Sequence, residues 1–176
     1  MDNTTLDDHL EIFTSKYVNS KFSERAISSI VDSIILAVPN MLLYFLWKDH
    51  ILSSLISNIA CIAYFTLMES SSRQASIGKM MYNMKVVDYN HQQISLHRSF
   101  VRTLTKYAAS LFYLAVQIFH APKDGIAASD PFLLKAMGIM LVITLADDVF
   151  ALTNSMVQAL HDKIAGTYVM KQDLSF

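Results

Sequence analysis

The chain has 176 residues, 53% of them hydrophobic and 16% charged, with a net charge of −1. Soluble domains carry about 25% charged residues, so the composition points to a membrane protein, and basic residues are not in excess overall, so nothing in the net charge suggests a nucleic-acid binder. The single cysteine, Cys61, lies in an apolar run and excludes an internal disulfide framework or a cysteine-cluster zinc site; it reads as a small buried hydrophobe.

Residues 1–25 form a polar N-terminal segment with Asp2, Asp7, Asp8, Glu11 and Glu24. They lack an apolar core of signal-peptide length, so the first membrane helix is expected to act as an uncleaved targeting signal. Ala26–Trp47 is the first apolar window and contains one formal charge, Asp32. A charge near the middle of a membrane helix costs roughly 2.5–3.5 kcal/mol on insertion scales, so it needs a partner, a proton or a watery cavity. Arg25 stands two helical turns earlier on nearly the same face, and Pro39 should kink the span. Ile51–Met68 is the second window and has no charge.

The middle region, residues 70–98, reads as a short amphipathic loop rather than a plain linker. Met84–Asp88 and Ile94–Leu96 look extended around the polar run Tyr89–Gln93, and Ser95 is placed to cap a helix starting at Leu96 or His97. Arg98, Arg102 and Lys106 recur every fourth residue, a basic stripe suited to anionic headgroups, and Lys79 is expected to snorkel to the same surface. Thr103–His120 is the third window. Pro131–Thr153 is the fourth, with Pro131 at a helix N-terminus and the Asp147-Asp148 pair near its end.

Each window approaches the roughly 20 residues that span a bilayer. The reading is therefore an all-α, polytopic bundle of four membrane helices over residues 26–172, with a tail at 173–176. Of the fourteen basic residues, eleven fall in the N-terminal segment, the middle region and the C-terminal segment. The positive-inside rule then puts both termini and the middle loop in the cytoplasm.

Three stretches together resemble the RDD family of small bacterial membrane proteins. They are Arg25-Ala26-Ile27-Ser28-Ser29-Ile30-Val31-Asp32, then Ser76-Ile77-Gly78-Lys79 followed by Val86-Val87-Asp88 and Arg98…Arg102, and Leu160-His161-Asp162-Lys163-Ile164-Ala165-Gly166-Thr167-Tyr168-Val169. The resemblance implies that Arg25, Asp32 and Asp162 are the residues that name the family, and that the chain sits in a bacterial inner membrane. Some members are associated with cation/proton antiport; others are membrane proteins without an assigned role. Where the family often has an Asp-Gly-type turn, this chain has Tyr89-Asn90-His91.

Chemically, Ser76–Lys79 fails as a phosphate loop, because Arg73 and Met80 stand where a glycine and a hydroxyl are required. His161-Asp162 lacks the further ligands of a metal site, with His91 and His97 poorly placed to supply them. No serine/histidine pair or redox cysteine pair supports an enzyme, and no cofactor is expected. Asp32 with Ser29, Ser33 and Asn40 makes a polar strip on the first span; Thr144, Asp148 and Ser155 make one on the fourth. If they face each other, Asp32, Asp148 and Asp147 offer oxygen ligands for which a small cation and a proton compete, since a carboxylate out of water holds a proton more readily and a cation displaces it. The competing reading pairs Asp32 with Arg25. Arg25 and Asp162 are candidates for a structural charge pair; Lys79, Arg98, Arg102 and Lys106 for headgroup contacts. The leading expectation is a small, homo-oligomeric cation/proton exchanger partnered by lipids, cations and protons. The alternative is a non-catalytic membrane scaffold or assembly factor binding lipid and partner proteins.

Overall fold

The computed structural model describes residues 17–46, 49–120, 130–153 and 157–172. In chain order these form β1 (Tyr17–Asn19), α1 (Phe22–Leu46), α2 (His50–Ser70), α3 (Ile77–Met80), β2 (Met84–Asp88), α4 (Leu96–Lys106), α5 (Ala108–Phe119), α6 (Pro131–Phe150), a 3₁₀ turn (Ala151–Thr153), α7 (Leu160–Ala165) and β3 (Thr167–Gln172). Trp47, Lys48, Lys123, Ser155, the first sixteen residues and the tail at 173–176 lie outside the described residues.

Three helices are long and apolar enough to cross a membrane: α1, α2, and α6 with its 3₁₀ extension. Their sides carry exposed Ile30, Ile34, Val38, Phe45, Ile139, Val142 and Val149. Such a run of uncovered large hydrophobics on every side suits lipid, not water. Local chemistry fixes their ends. Asp49 caps α2 by accepting from the Ile51 and Leu52 amides at 3.0 Å. Asp130 caps α6 through Phe132 and Leu133, with Pro131 at the first helical position. Pro39 lies within α1, which continues through it.

The third apolar window is divided. Tyr107, at φ −91° and ψ 4°, separates α4 from α5. At 1.5 Å per residue, the 12 residues of α5 reach about 18 Å, short of the roughly 30 Å hydrocarbon core. The physical reason is a change of face. α4, capped by Ser95, buries Ser99, Arg102 and Thr103, whereas α5 is apolar.

The fold is mostly helical but not purely so. β3 is the centre of an antiparallel sheet ordered β1-β3-β2, with Val86 opposite Val169 and Val87 opposite Tyr168. Met84, Val86, Ile94 and Val169 form its small apolar core. The middle region is thus part of a folded sheet, because β2 has a partner from the C-terminal stretch that sequence periodicity could not supply. The sheet is tied to α1: Ser20 donates to the Val169 carbonyl at 2.8 Å, and Lys171 pairs with Glu24 at 2.6 Å.

Candidate functional site

At the end of the bundle that carries the sheet, ionisable side chains from six helices, α1 to α4, α6 and α7, meet in one connected network. Arg102 on α4 is its hub, 2% exposed. Its guanidinium pairs with Glu69 at the end of α2 and with Asp162 on α7, the latter at 2.6–2.7 Å. Asp162 also takes the Arg25 guanidinium of α1, and reaches back to the Ala159 amide at 3.3 Å. Arg25 donates a further bond to the Val157 carbonyl. Glu69 receives the Lys79 ammonium at 2.9 Å.

Asp32 belongs to the same network by hydrogen bonds alone. It accepts from the Ser76 hydroxyl at 2.5 Å, the Gly78 amide at 2.8 Å and the Tyr64 hydroxyl at 3.1 Å. Ser76 in turn lies 3.5 Å from the Lys79 ammonium. Gly78 is required by the approach of α3 to α1: a Cβ there would stand 2.1 Å from the Ser28 carbonyl oxygen and 2.9 Å from the Asp32 carboxyl carbon. The Ser-x-Gly-Lys stretch is therefore a cap on the intramembrane carboxylate. Its hydroxyl and amide satisfy Asp32, its glycine admits the helix, and its lysine neutralises Glu69.

His161 closes the network on the α6 side. Its Nδ1 lies 2.5 Å from Asp147, whose other oxygen accepts the His161 amide at 3.0 Å. Its Nε2 faces the Arg102 guanidinium at 3.3 Å. A neutral ring donating from Nδ1 and accepting at Nε2 satisfies both contacts. Burial pushes the His161 imidazole below its usual range, and Arg102 adds to this, against the opposing pull of Asp162 and Asp147. Burial raises the Asp162 carboxyl, but Arg102 and Arg25 outweigh it and hold that group well below the carboxylate range.

The expected sites are thus distributed differently from the sequence reading. Asp32 does not pair with Arg25, and it is sealed at 2% exposure. Asp147 is engaged by His161. Asp148 is exposed and lines a separate cleft that Asp32 does not reach; Thr144 is exposed and bonds to its own helix. Among the described residues the facing carboxylate strips are not formed. Lys79 and Arg102, read as headgroup contacts, are buried in ion pairs, because the stripe on α4 turns its middle member inward. Arg98 is the exposed member and pairs with Asp88 at 3.3 Å. Lys106 rests over the Phe65 ring, 4.5 Å from its centroid. Glu69 escaped the sequence reading; its signal was a lone carboxylate at the very end of an otherwise uncharged span. Among the described residues no group of His, Cys, Asp and Glu is arranged to hold a metal ion.

The family model for the RDD family matches residues 20–166. The chain belongs to the RDD family. No curated protein and no solved structure matches it. With its three apolar helices, this RDD protein is an integral membrane protein. The matched region holds Arg25, Asp32, Glu69, Lys79, Arg102, Asp147, His161 and Asp162, every acidic or basic member of the network named above.

Proposed function

We propose that this RDD protein is a non-catalytic membrane scaffold. In this reading it is a four-pass bundle in a bacterial inner membrane, with both termini and residues 70–98 in the cytoplasm: the pairing of β1 with β3 in one sheet requires an even number of crossings, so the short α5 makes the third, and the sheet with the exposed Tyr89–Gln93 turn is offered to partner proteins. One observation carries the reading: the network's acidic groups are occupied by donors from within the chain. Such a cluster fixes helix register. Breaking one buried pair costs roughly 3–5 kcal/mol because a charge is stranded, even where the pair adds little net stability. The eleven basic residues grouped in three segments support the orientation.

Cation/proton exchange is the second reading, and one feature favours it. A neutral polar cavity of about 250 Å³ in the other half of the bundle is lined by Asn40, Ser57, Asn58, Ser110 and Gln117. Asn40 lies two turns beyond Asp32 on α1 and touches Cys61 at 3.7 Å. The experiment that separates the two is reconstitution of the purified protein in liposomes with a trapped pH dye and imposed sodium, potassium or lithium gradients. A scaffold gives no cation-dependent proton flux. Flux that Asp32→Asn or Asp148→Asn abolishes would overturn the scaffold reading and establish exchange.

A further inference from the structure

A cleft of about 350 Å³ opens between α1 and α6 at the charged end. These two helices pack elsewhere, α1 on α2 and α3, α6 on α5 and α7. The cleft's apolar walls are Ile30 on one side and Leu145 and Val149 on the other, all three lining it. Its inner surface carries four cations: Arg25, Lys79, Arg102 and Lys106. The first three have carboxylate partners. Lys106 has none within 4.0 Å among the described residues; its ammonium lies over the face of Phe65. The acidic group on the cleft wall is Asp148, exposed, on α6.

We propose that this cleft seats the phosphate of a phospholipid headgroup, with the Lys106 ammonium as its counter-charge and the acyl chains lying along the lipid-facing sides of α1 and α6. A cationic floor beneath two apolar walls matches an anion carried on a hydrocarbon body. A free anion would gain nothing from Ile30, Leu145 and Val149, and an uncharged lipid nothing from Lys106. Asp148 opposes a phosphate on its own side, so the headgroup sits toward α4. The site goes beyond the scaffold reading and does not depend on it, since Lys106, Ile30, Leu145 and Val149 take no part in the occupied acidic groups on which that reading rests.

The test uses the full chain purified in a mild detergent and three probes: a phosphatidylglycerol, a diacylglycerol of the same chains, and glycerol 3-phosphate. Native mass spectrometry and the shift in melting midpoint read binding. Phosphatidylglycerol is expected to bind and stabilise, and the other two are not. Lys106→Gln should weaken its binding about tenfold, the size of one charge-assisted contact. Val149→Trp, which fills the cleft and keeps every charge, should weaken it as well; Lys106→Arg should retain it. Equal binding of diacylglycerol would overturn the headgroup role, and equal binding of glycerol 3-phosphate would reassign the site to a soluble phosphate. Undiminished phosphatidylglycerol binding in folded Lys106→Gln and Val149→Trp proteins would place the lipid elsewhere and overturn the proposal.

Discussion

Gly78 and Gly138 make opposite demands on the same kind of substitution. A methyl at Gly78 meets α1 backbone at 2.1 Å, whereas nothing lies within 4 Å of a Cβ at Gly138. Gly78→Ala should therefore destabilise the protein by about 1–3 kcal/mol or more, as overpacking does, by prising α3 from Asp32. Gly138→Ala, in the exposed interior of α6, should stabilise by about 0.5–1 kcal/mol through helix propensity. Unfolding in detergent ranks both; equal effects would remove the case for a close α1–α3 approach. His161 supplies a pH signature. Its imidazole is neutral and depressed below 6.5 in the folded protein, so the unfolded chain binds the proton first as pH falls. Its contribution is complete above about pH 6.5 and is lost as pH drops through the window below that value. Asp162, held well below 3.8, adds a second loss at still lower pH, since its stability is present only above the unfolded carboxylate range. His161→Gln should flatten stability between pH 7 and 5 while leaving the more acidic loss in place. Parallel pH curves for the variant and parent would contradict the buried, neutral histidine.

α4 shows how far an element's role can be read from its periodicity. Arg98, Arg102 and Lys106 fall on one stripe, but the stripe does not say which neighbour it meets. Arg98 is half-exposed against Asp88, and Arg102 is buried between two carboxylates. Arg98→Ala should cost at most about 1 kcal/mol, the range of surface pairs, and Arg102→Ala about 3–5 kcal/mol. Equal costs from equilibrium unfolding would show that α4 lies on the surface of the bundle. The apolar windows for α1, α2 and α6 were legible because hydrocarbon tolerates so few charges, and Met84–Asp88 was legible as extended from its valines. The split at Tyr107 was not, because hydropathy runs through it while the buried face changes. β3 was hidden too: its pairing with β2 joins segments some eighty residues apart, and no local pattern records that. For the site, the Asp32 environment was the largest miss. Ser76 and Gly78 lie 44 and 46 residues further along the chain, so the motif was visible and its target was not.

At the scale of the whole molecule, the described chain begins and ends at the charged end, where β1 and β3 share a sheet and where Arg25, Arg102 and Asp162 meet. Under the proposed orientation this end is cytoplasmic. Single cysteines at Asn90 and His120, in a Cys61→Ser background, should label from opposite sides of sealed vesicles; labelling of Asn90 from outside would reverse or refute the topology. At this charged end, side chains drawn from separate helices act as one coupled clamp. A double-mutant cycle on Glu69→Gln and Arg102→Met, measured as unfolding free energy in mixed micelles, tests it most directly. The double variant should lose less than the summed singles by more than about 1 kcal/mol, as for residues within one ion-pair network. Additivity within about 0.5 kcal/mol, the behaviour of distant sites, would contradict it.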